Sequence, residues 1–348
     1  TRRDCIMPKR FLGNIMTDSP TAPDGNYTSS AASGVWSLAE ALSYTKGGLW
    51  PTTGNAAPSG LFMGGMHSGG TRVNTVDSIS ILTTGNATDF GDLSGAGADG
   101  AGVSSSTRGV QYGGGGSGTN VIEYFTFGSA GNATDFGDAT KATYHNCGMG
   151  SNVRGISALT PSGTYLLYEY ITIASTGNGT DFGDDLALYR SKAGGCSSTT
   201  RGLVAGGLGQ GQNRNHIAYV TIASVGNASD FGDLTVGRQH VGGLSSNTRG
   251  IFYAGNNGSR INVIDYVTIA STGNATDFGN AGTLAEDWGC TAGLTRGVAA
   301  GGGVLSTGTD TIEYITIATT GNAADFGNLT QTRAAISACS NTHGGIAA

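Results

Sequence analysis

Hydrophobic and polar residues alternate along short stretches of this chain, and the stretches return with a period of about 47 residues. In residues 263–269, for example, successive side chains fall on opposite sides of an extended backbone. Such runs are too short for helices and are rich in β-branched and aromatic residues, so they predict strands. Each period contains four of these runs, separated by turns.

One eight-residue phrase, most often Gly-Asn-Ala-Thr-Asp-Phe-Gly-Asp, follows a strand in every period. It begins at Gly85, Gly131, Gly177, Gly226, Gly273 and Gly321. Its central phenylalanines are separated by 46, 46, 49, 47 and 48 residues, and they are Phe90, Phe136, Phe182, Phe231, Phe278 and Phe326. A period of this size is typical of propellers and solenoids, and four short strands match one propeller blade. The pattern therefore predicts an all-β propeller of six four-stranded blades at residues 57–348.

The two ends of the repeat region predict how the ring closes. The region opens at Gly60-Leu61-Phe62-Met63-Gly64-Gly65, which corresponds to a second strand, and residues 334–339 form a first strand left over at the end. Together they complete one blade, which removes exposed sheet edges. Residues 342–348 begin another second strand that six blades do not use, so seven blades sharing the N-terminal segment are the alternative.

The repeats resemble kelch repeats in two features. Double glycines follow several second strands, at Gly64-Gly65, Gly206-Gly207 and Gly301-Gly302, and a later strand carries a tyrosine, as at Tyr266 and Tyr314. The usual blade tryptophan is missing. The resemblance implies a kelch-like β-propeller that departs from the kelch pattern.

Residues 1–56 do not match the repeat and predict a separate N-terminal arm. Ser37-Leu38-Ala39-Glu40 is a capping box that starts a short helix, and Gly47-Gly48 ends it. Because one short helix with few apolar residues has no core of its own, we expect the arm to dock on the propeller or on another chain.

This arm also carries a second resemblance. Its stretch Ser33-Gly34-Val35-Trp36-Ser37-Leu38-Ala39-Glu40, followed by Gly48-Leu49-Trp50-Pro51, is similar to a short element of tail-fibre and other virion proteins of bacteriophages. The repeat phrase is similar to repeats in predicted phage structural proteins. The first match covers about 20 residues and the second about 290.

The phage resemblance implies a non-enzymatic structural protein of the virion, located on the extracellular particle. Residues 1–56 would dock it to other virion proteins of the tail, fibre or capsid, and a homo-oligomer is expected. The propeller would contact a host-surface glycan or receptor, with residues 208–215 and 255–260 as candidate loops.

The amino-acid composition and the net charge limit the classes of partner that the protein can bind. Only 12% of residues are charged and the formal net charge is -6, which argues against a basic nucleic-acid surface. No stretch approaches the roughly 18 to 20 apolar residues of a membrane span. We therefore expect neither nucleic acid nor membrane as a partner.

Candidate chemistry is sparse. The repeat phrase lacks the lysine of a phosphate loop, and its Asp pairs, such as Asp89 with Asp92, supply fewer carboxylates than a calcium loop. The five histidines are scattered, and no catalytic motif stands out. We expect no cofactor, no metal site and no catalytic residue, and the sequence identifies no binding residue.

Two other functions stay open. The main alternative is a secreted propeller lectin or polysaccharide-acting enzyme, which a bound metal or perturbed carboxylates at the channel mouth would favour. An intracellular kelch-type adaptor is the less favoured alternative.

Within the repeat phrase, Asn and Asp are expected to bond backbone amides in tight turns, and the phenylalanine to pack between blades. Five copies contain Asn-x-Ser/Thr, at Asn86, Asn132, Asn178, Asn227 and Asn274. The sixth, Asn322-Ala323-Ala324, lacks the hydroxyl, so a turn rather than a glycan is expected to dictate the phrase.

Two further sets recur with the period. Arginines precede the second strand, with His343 at the sixth place, and are expected to pair with a repeat carboxylate. They are Arg108, Arg154, Arg201, Arg249 and Arg296. Cys147, Cys196, Cys290 and Cys339 fall on one recurring strand and are expected as small buried hydrophobes at equivalent positions. Disulfides between neighbouring repeats stay open.

Overall fold

The computed structural model describes residues 58–67, 69–115, 118–160, 166–185, 190–304 and 307–346. Within these ranges the regular structure is entirely β, with six four-stranded antiparallel sheets and one two-stranded hairpin. The six sheets form a ring, so the prediction of an all-β six-bladed propeller is confirmed and the seven-bladed alternative is wrong. The expected docking arm, residues 1–56, and its short helix lie outside the described residues.

The blades are numbered along the chain, and their strands are given from the channel outwards. Blade 1 contains β26 (Ser337–Ser340), β1 (Ser59–Met63), β2 (Val73–Ser80) and β3 (Thr88–Gly97). Blade 2 contains β4 (Ala101–Ser104), β5 (Arg108–Tyr112), β6 (Thr119–Thr126) and β7 (Thr134–Thr143). Blade 3 contains β8 (Cys147–Gly150), β9 (Arg154–Leu159), β10 (Leu166–Thr172) and β11 (Thr180–Asp185).

The remaining three blades follow the same order. Blade 4 contains β12 (Gly194–Ser197), β13 (Arg201–Ala205), β16 (His216–Thr221) and β17 (Ser229–Asp233), with a hairpin of β14 (Leu208–Gly209) and β15 (Gln212–Asn213). Blade 5 contains β18 (Gly242–Ser245), β19 (Arg249–Asn256), β20 (Arg260–Thr268) and β21 (Thr276–Asn280). Blade 6 contains β22 (Glu286–Ala292), β23 (Arg296–Val304), β24 (Thr307–Thr316) and β25 (Ala324–Arg333).

Blade 1 joins the two ends of the repeat region. β26 pairs with β1 in antiparallel register, with Leu61 opposite Cys339 and Phe62 opposite Ala338. The predicted closure is therefore confirmed. The residues after β26 do not start the predicted further strand: residues 341–346 form turns, because the second-strand place in blade 1 is already filled by β1.

The repeat phrases of neighbouring blades bind each other through three hydrogen bonds. Between blades 1 and 2, the amide of Gly131 donates to the carbonyl of Phe90 at 2.8 Å, and the amide of Ala133 donates to the carbonyl of Asp92 at 2.8 Å. In return the amide of Asp92 donates to Oδ1 of Asn132 at 3.1 Å. The same set recurs at all six junctions, with lengths from 2.7 to 3.1 Å. We call this closed circuit the phrase belt.

The phrase belt refines the expected role of asparagine. The side chain does accept a backbone amide, but the amide belongs to the preceding blade rather than to its own turn. Asn322, which has no hydroxyl two residues later, accepts from the amide of Asn280 at 3.0 Å like the others. This supports the interpretation that the fold, rather than a glycan, dictates the phrase.

The second glycine of each phrase is required by this close approach. Gly91 has φ of 151°, and a Cβ placed on it would lie 2.3 Å from the carbonyl oxygen of Gly131. The equivalent glycines meet the next phrase at 2.4 to 2.5 Å. A side chain at this position would therefore separate two blades.

The phrase phenylalanines pack between blades, as predicted. Phe231 of blade 4 lies in one buried cluster with Phe252 and Val267 of blade 5. It also meets the ring of Tyr219 edge to face, with 6.0 Å between centroids. Each blade interface thus buries one aromatic ring from the belt.

The prediction that the recurring arginines pair with carboxylates is wrong. Arg249 donates from Nη1 to the carbonyls of Ile317 at 3.0 Å and Ala318 at 2.9 Å, both in the next blade. The guanidinium of Arg249 lies 4.6 Å over the Tyr266 ring, and the other four arginines lie 4.3 to 4.7 Å over the equivalent tyrosine rings. The reason is that these carbonyls end the ladder of the third strand and need donors, and a planar guanidinium can stack and donate at once. The phrase aspartate, such as Asp277, is exposed instead.

His343 does not take the sixth arginine place either. Ser59 occupies that place, because it begins the second strand of blade 1 as Arg249 begins that of blade 5. The Ser59 amide donates to Asn341 Oδ1 at 2.8 Å, and the Arg249 amide makes the equivalent bond to Ser246 Oγ at 3.2 Å.

The four described cysteines are free and lie on the innermost strands. Burial raises the pKa of Cys147, Cys196 and Cys339 to about 12. Cys196 and Cys339 share one strand position, but Cys147 and Cys290 occupy two others, so the expected equivalence is only partly correct.

We predict that Gly137→Ala destabilises the ring, since a Cβ there would lie 2.5 Å from the Gly177 carbonyl at φ of 148°. The expected loss is about 2 kcal/mol or more of unfolding free energy, measured by denaturant titration. Gly95→Ala is the matched control because a Cβ there meets nothing within 4 Å. Equal midpoints for the two variants would contradict the structural role of the belt.

Candidate functional site

The innermost strands of the six blades enclose a central channel with small residues. The third position from the end of these strands holds Gly102, Gly148, Gly195, Gly243, Cys290 and Ala338, and all six line a cavity of about 130 Å³. A Cβ on Gly148 would lie 2.1 Å from the carbonyl oxygen of Gly102 in the neighbouring blade. Six blades bring these strands too close together for large side chains between them.

One end of the channel is covered by residues 342–346, which we call the C-terminal turn. His343 places Nε2 3.2 Å from the carbonyl oxygen of Ser104 in blade 2. The amide of Gly344 donates to the carbonyl of Ser245 in blade 5 at 3.0 Å. The turn therefore reaches across the channel between blades on opposite sides.

A second circuit of hydrogen bonds explains where the turn binds. The last residue of an inner strand donates its hydroxyl to the carbonyl of the preceding blade: Ser104 to Ser340, Ser197 to Gly150, Ser245 to Ser197 and Ser340 to Ala292, at 2.6 to 2.8 Å. Gly150 and Ala292 have no hydroxyl to donate. The two carbonyls that they would have reached, on Ser104 and Ser245, are the two that the C-terminal turn binds.

The contacts of His343 fix its protonation state. The amide of Gly345 donates to Nδ1 at 3.1 Å, so the proton sits on Nε2, which donates to Ser104. Burial lowers the pKa of His343 to about 4, and the bond to Ser104 offsets only part of that shift. The histidine is neutral in the turn.

The opposite end of the channel is surrounded by the six residues that lie three positions before the channel-lining residues named above. From blade 1 to blade 6 these residues are Ala335, Asp99, His145, Lys192, His240 and Asp287. All six have φ between 55° and 62°, and they make up six of the eight non-glycine residues with positive φ in the described ranges. We call them the mouth ring.

The backbone of the mouth ring is strained for residues that carry a Cβ, by roughly 1 to 2 kcal/mol each. A chain with 62 glycines uses none at these six positions. Six residues that keep a side chain in this costly conformation, at the same place in every blade, are a reason to look for a function there.

Buried arginines fix the segments that lead into half of the mouth ring. Arg238 is fully buried two residues before His240. It binds Asp265 Oδ2 at 2.8 Å and donates to the carbonyls of Ala254 at 2.9 Å and Phe252 at 3.1 Å. Arg190 and Arg333 stand at the equivalent places before Lys192 and Ala335, paired with Asp185 and Asp77 at 2.9 and 2.6 Å.

Two Asp–His pairs face each other in the mouth ring. His145 Nδ1 lies 3.1 Å from Asp99 Oδ1, and His240 Nδ1 contacts Asp287 Oδ1. The two imidazole centroids are 6.2 Å apart. Because each carboxylate binds Nδ1, Nε2 is the nitrogen directed away from the acid in both rings.

Lys192 stands between the two histidines, on the blade between theirs. All five polar ring residues line one recess of about 80 Å³, which has room for several water molecules or one small charged group. Among the described residues no ion pair with Lys192 is formed.

Two neighbours complete the recess. Asn146 lines it and is 8% exposed, yet neither amide atom of its side chain has a hydrogen-bond partner among the described residues. Tyr144 is 42% exposed and lies edge to face against His145, with 4.8 Å between centroids.

The loops named from the sequence lie beside this mouth. Leu208 bridges to Ser191, and Asn256 bridges to Gln239, each next to a mouth-ring residue. Residues 208–215, with the β14–β15 hairpin, and residues 255–260 are thus each tied by one bridge to the residue before a mouth-ring residue, although none of them lines the recess.

Sequence reasoning missed the mouth ring because it treated the histidines as scattered. Aligning the six inner strands on their channel-lining residues would have put the ring residues in one column, three positions earlier. The residue type at this position differs between neighbouring blades, so the position does not stand out as a sequence motif.

The described residues contain neither a cluster of metal ligands nor a membrane-spanning helix. In the ranges between 58 and 346 given above, no set of three or more His, Cys, Asp or Glu side chains could hold a metal ion. No helix in that part of the chain could cross a membrane.

Comparison with known proteins gives no relative: neither a protein-family model nor a curated protein matches the chain.

We predict that the buried His343 makes the ring less stable in acid. Its folded-state pKa of about 4 lies below the ordinary 6.5, so the unfolded chain binds more protons between these values. Stability should therefore fall as pH falls from 6.5 to 4, with this residue contributing up to about 1.4 kcal/mol per pH unit.

His343→Gln retains a donor for the Ser104 carbonyl but cannot titrate. Unfolding free energies measured from pH 4 to 7 should show a shallower pH slope for this variant than for the unmodified protein. Identical slopes would show that His343 is not a buried neutral group.

Proposed function

We propose that this chain is a non-enzymatic structural protein of a bacteriophage particle, with the propeller as its recognition head. Residues 1–56 would attach it to other virion proteins of the tail, fibre or capsid. The support for a phage origin is the resemblance of the arm and the repeat phrase to virion proteins.

The observation that carries the recognition role is the difference between the two ends of the channel. The C-terminal turn covers one end through bonds to the Ser104 and Ser245 carbonyls. The other end has the charged mouth ring and its recess, and residues 208–215 and 255–260 are bridged to neighbours of two ring residues. A head of this form suits contact with a host-surface glycan or receptor at the mouth.

The chemistry of the recess fits binding better than acyl transfer. Among the described residues that line it there is no Ser, Thr or Cys side chain to act as a nucleophile. Both carboxylates of the mouth ring are engaged with histidine. The expectation of a homo-oligomer on the particle rests on the likeness to tail fibres.

A second candidate is a secreted propeller lectin or polysaccharide-acting enzyme. The feature that favours it is the pair Asp99 and Asp287, two carboxylates that line one recess, because glycoside hydrolysis generally uses a pair of carboxyl groups. Release of reducing ends from a polysaccharide by the full chain, lost in Asp287→Asn, would favour this candidate over the first.

We predict that the chain is found on phage particles. Antibodies raised against the full chain, applied with gold label to particles from the source culture, should mark one appendage in electron micrographs. The control is the same antibody absorbed beforehand with the purified chain. Recovery of the chain only in the particle-free supernatant would contradict the virion assignment.

A further inference from the structure

We propose that the mouth ring binds one oxyanion group of an acidic saccharide, a carboxylate or a phosphate, between Lys192 and the two histidines. This deepens the proposed function, on which its biological meaning rests. The binding chemistry itself depends only on the ring.

The ring is arranged symmetrically about a line from blade 4 to blade 1. Lys192 is flanked by His145 and His240, these are flanked by Asp99 and Asp287, and Ala335 stands opposite. All nitrogen donors are therefore on one half of the recess. The side opposite Lys192 carries the small, uncharged side chain of Ala335, with Ile336 beside it, so no charged group stands there.

The two carboxylates prepare the histidines as donors. Each binds Nδ1, which orients the imidazole and leaves Nε2 as its second nitrogen. Nε2 donates to the bound oxyanion when the imidazole takes up a proton together with the ligand. With both imidazoles protonated, the five polar side chains carry one net positive charge, which one bound monoanion cancels. Charge-assisted bonds of this kind are about twice as strong as neutral ones.

Asn146 gives an independent indication of a ligand. Its side chain is more than nine-tenths buried, lines the recess, and has unpartnered donor and acceptor atoms among the described residues. A buried amide without a partner costs about 1 to 3 kcal/mol, so a group that binds it is stabilising. A sugar hydroxyl next to the oxyanion can both donate and accept.

The rim favours a saccharide over a free inorganic ion. Tyr144 is 42% exposed and contacts His145 edge to face, so an exposed aromatic ring lies next to one histidine of the recess. Amphipathic contacts of this kind suit a ligand with both an apolar face and a charged group.

A metal ion is a poorer fit for the same residues. The two histidines lack a third ligand among the described His, Cys, Asp and Glu side chains. Lys192 lines the same recess and would repel a cation. The recess is therefore assigned to an anion.

The test is calorimetric titration of the full chain with D-glucuronate, inorganic phosphate and uncharged D-glucose. Glucuronate, phosphate or both should bind, and glucose should bind at least about tenfold more weakly, a difference of about 1.4 kcal/mol. Binding of glucuronate alone identifies a carboxylate ligand, and binding of phosphate alone identifies a phosphate ligand.

Lys192→Gly is the decisive variant because glycine accepts the φ of 60° at this position, so loss of binding cannot be attributed to backbone strain. It should weaken binding by about tenfold or more. Lys141→Gln is the matched control, since it removes an exposed lysine on β7 and should leave affinity unchanged.

Absence of binding by both anions, equal binding of glucose, or full affinity in Lys192→Gly would overturn the proposal. These outcomes are separate from the particle labelling: a virion protein that binds no anion refutes only this site, and an anion-binding chain absent from particles refutes only the virion role.

Discussion

Backbone hydrogen bonds between neighbouring copies of one repeated phrase hold the ring of blades together. At each junction the amides of a Gly and of the residue two positions later, which is Ala in five phrases and Gly179 in the other, donate to the Phe and Asp or Asn carbonyls of the preceding phrase. The Asn side chain accepts the return bond. Each such bond contributes on the order of 1 kcal/mol, and the circuit has no free end. Between blades 6 and 1 it joins Gly85 to Phe326 at 2.8 Å, so the first and last repeats are held as tightly as any neighbouring pair. The belt also explains the sequence: Gly91 and its equivalents must lack a Cβ, and Phe231 and its equivalents fill the interface that the belt closes.

The narrow ring that results shapes both ends of the channel. Because the inner strands approach so closely, Gly148 and the other lining residues are small, and functional side chains have to stand at the strand ends. At one end, Gly150 and Ala292 leave two carbonyls without a hydroxyl donor, and the C-terminal turn supplies His343 and Gly344 instead. At the other end, the mouth ring keeps charged and polar side chains in a left-handed backbone conformation that glycine would adopt at lower cost. The proposed anion site therefore follows from the same geometry that restricts the interior of the channel.

The architecture was accessible from the sequence because it rests on periodic features. The spacing of the phrase, the four strand runs and the leftover first strand at residues 334–339 predicted six blades and their closure. Features that depend on contacts between blades were not accessible. The sequence around Arg249 does not indicate that its partners are the Ile317 and Ala318 carbonyls rather than a carboxylate, because every residue has a backbone carbonyl. His145 and His240 are 95 residues apart, and only the ring brings their imidazoles to 6.2 Å. The spacing put His343 at a repeat position, just before a second strand. In blade 1 the place of that second strand is taken by β1, so the chain after β26 turns across the end of the channel instead.

Native-state hydrogen exchange tests most directly whether the phrase belt acts as one closed circuit. The amides to follow are those that donate across the six junctions: Gly85, Gly131, Gly177, Gly226, Gly273 and Gly321. If the belt is closed, all six exchange only through global unfolding, with the same free energy and the same denaturant dependence. Faster exchange at Gly85 and Gly321 than at the other four, with a smaller denaturant dependence, would show that blade 6 and blade 1 open on their own and would contradict the account.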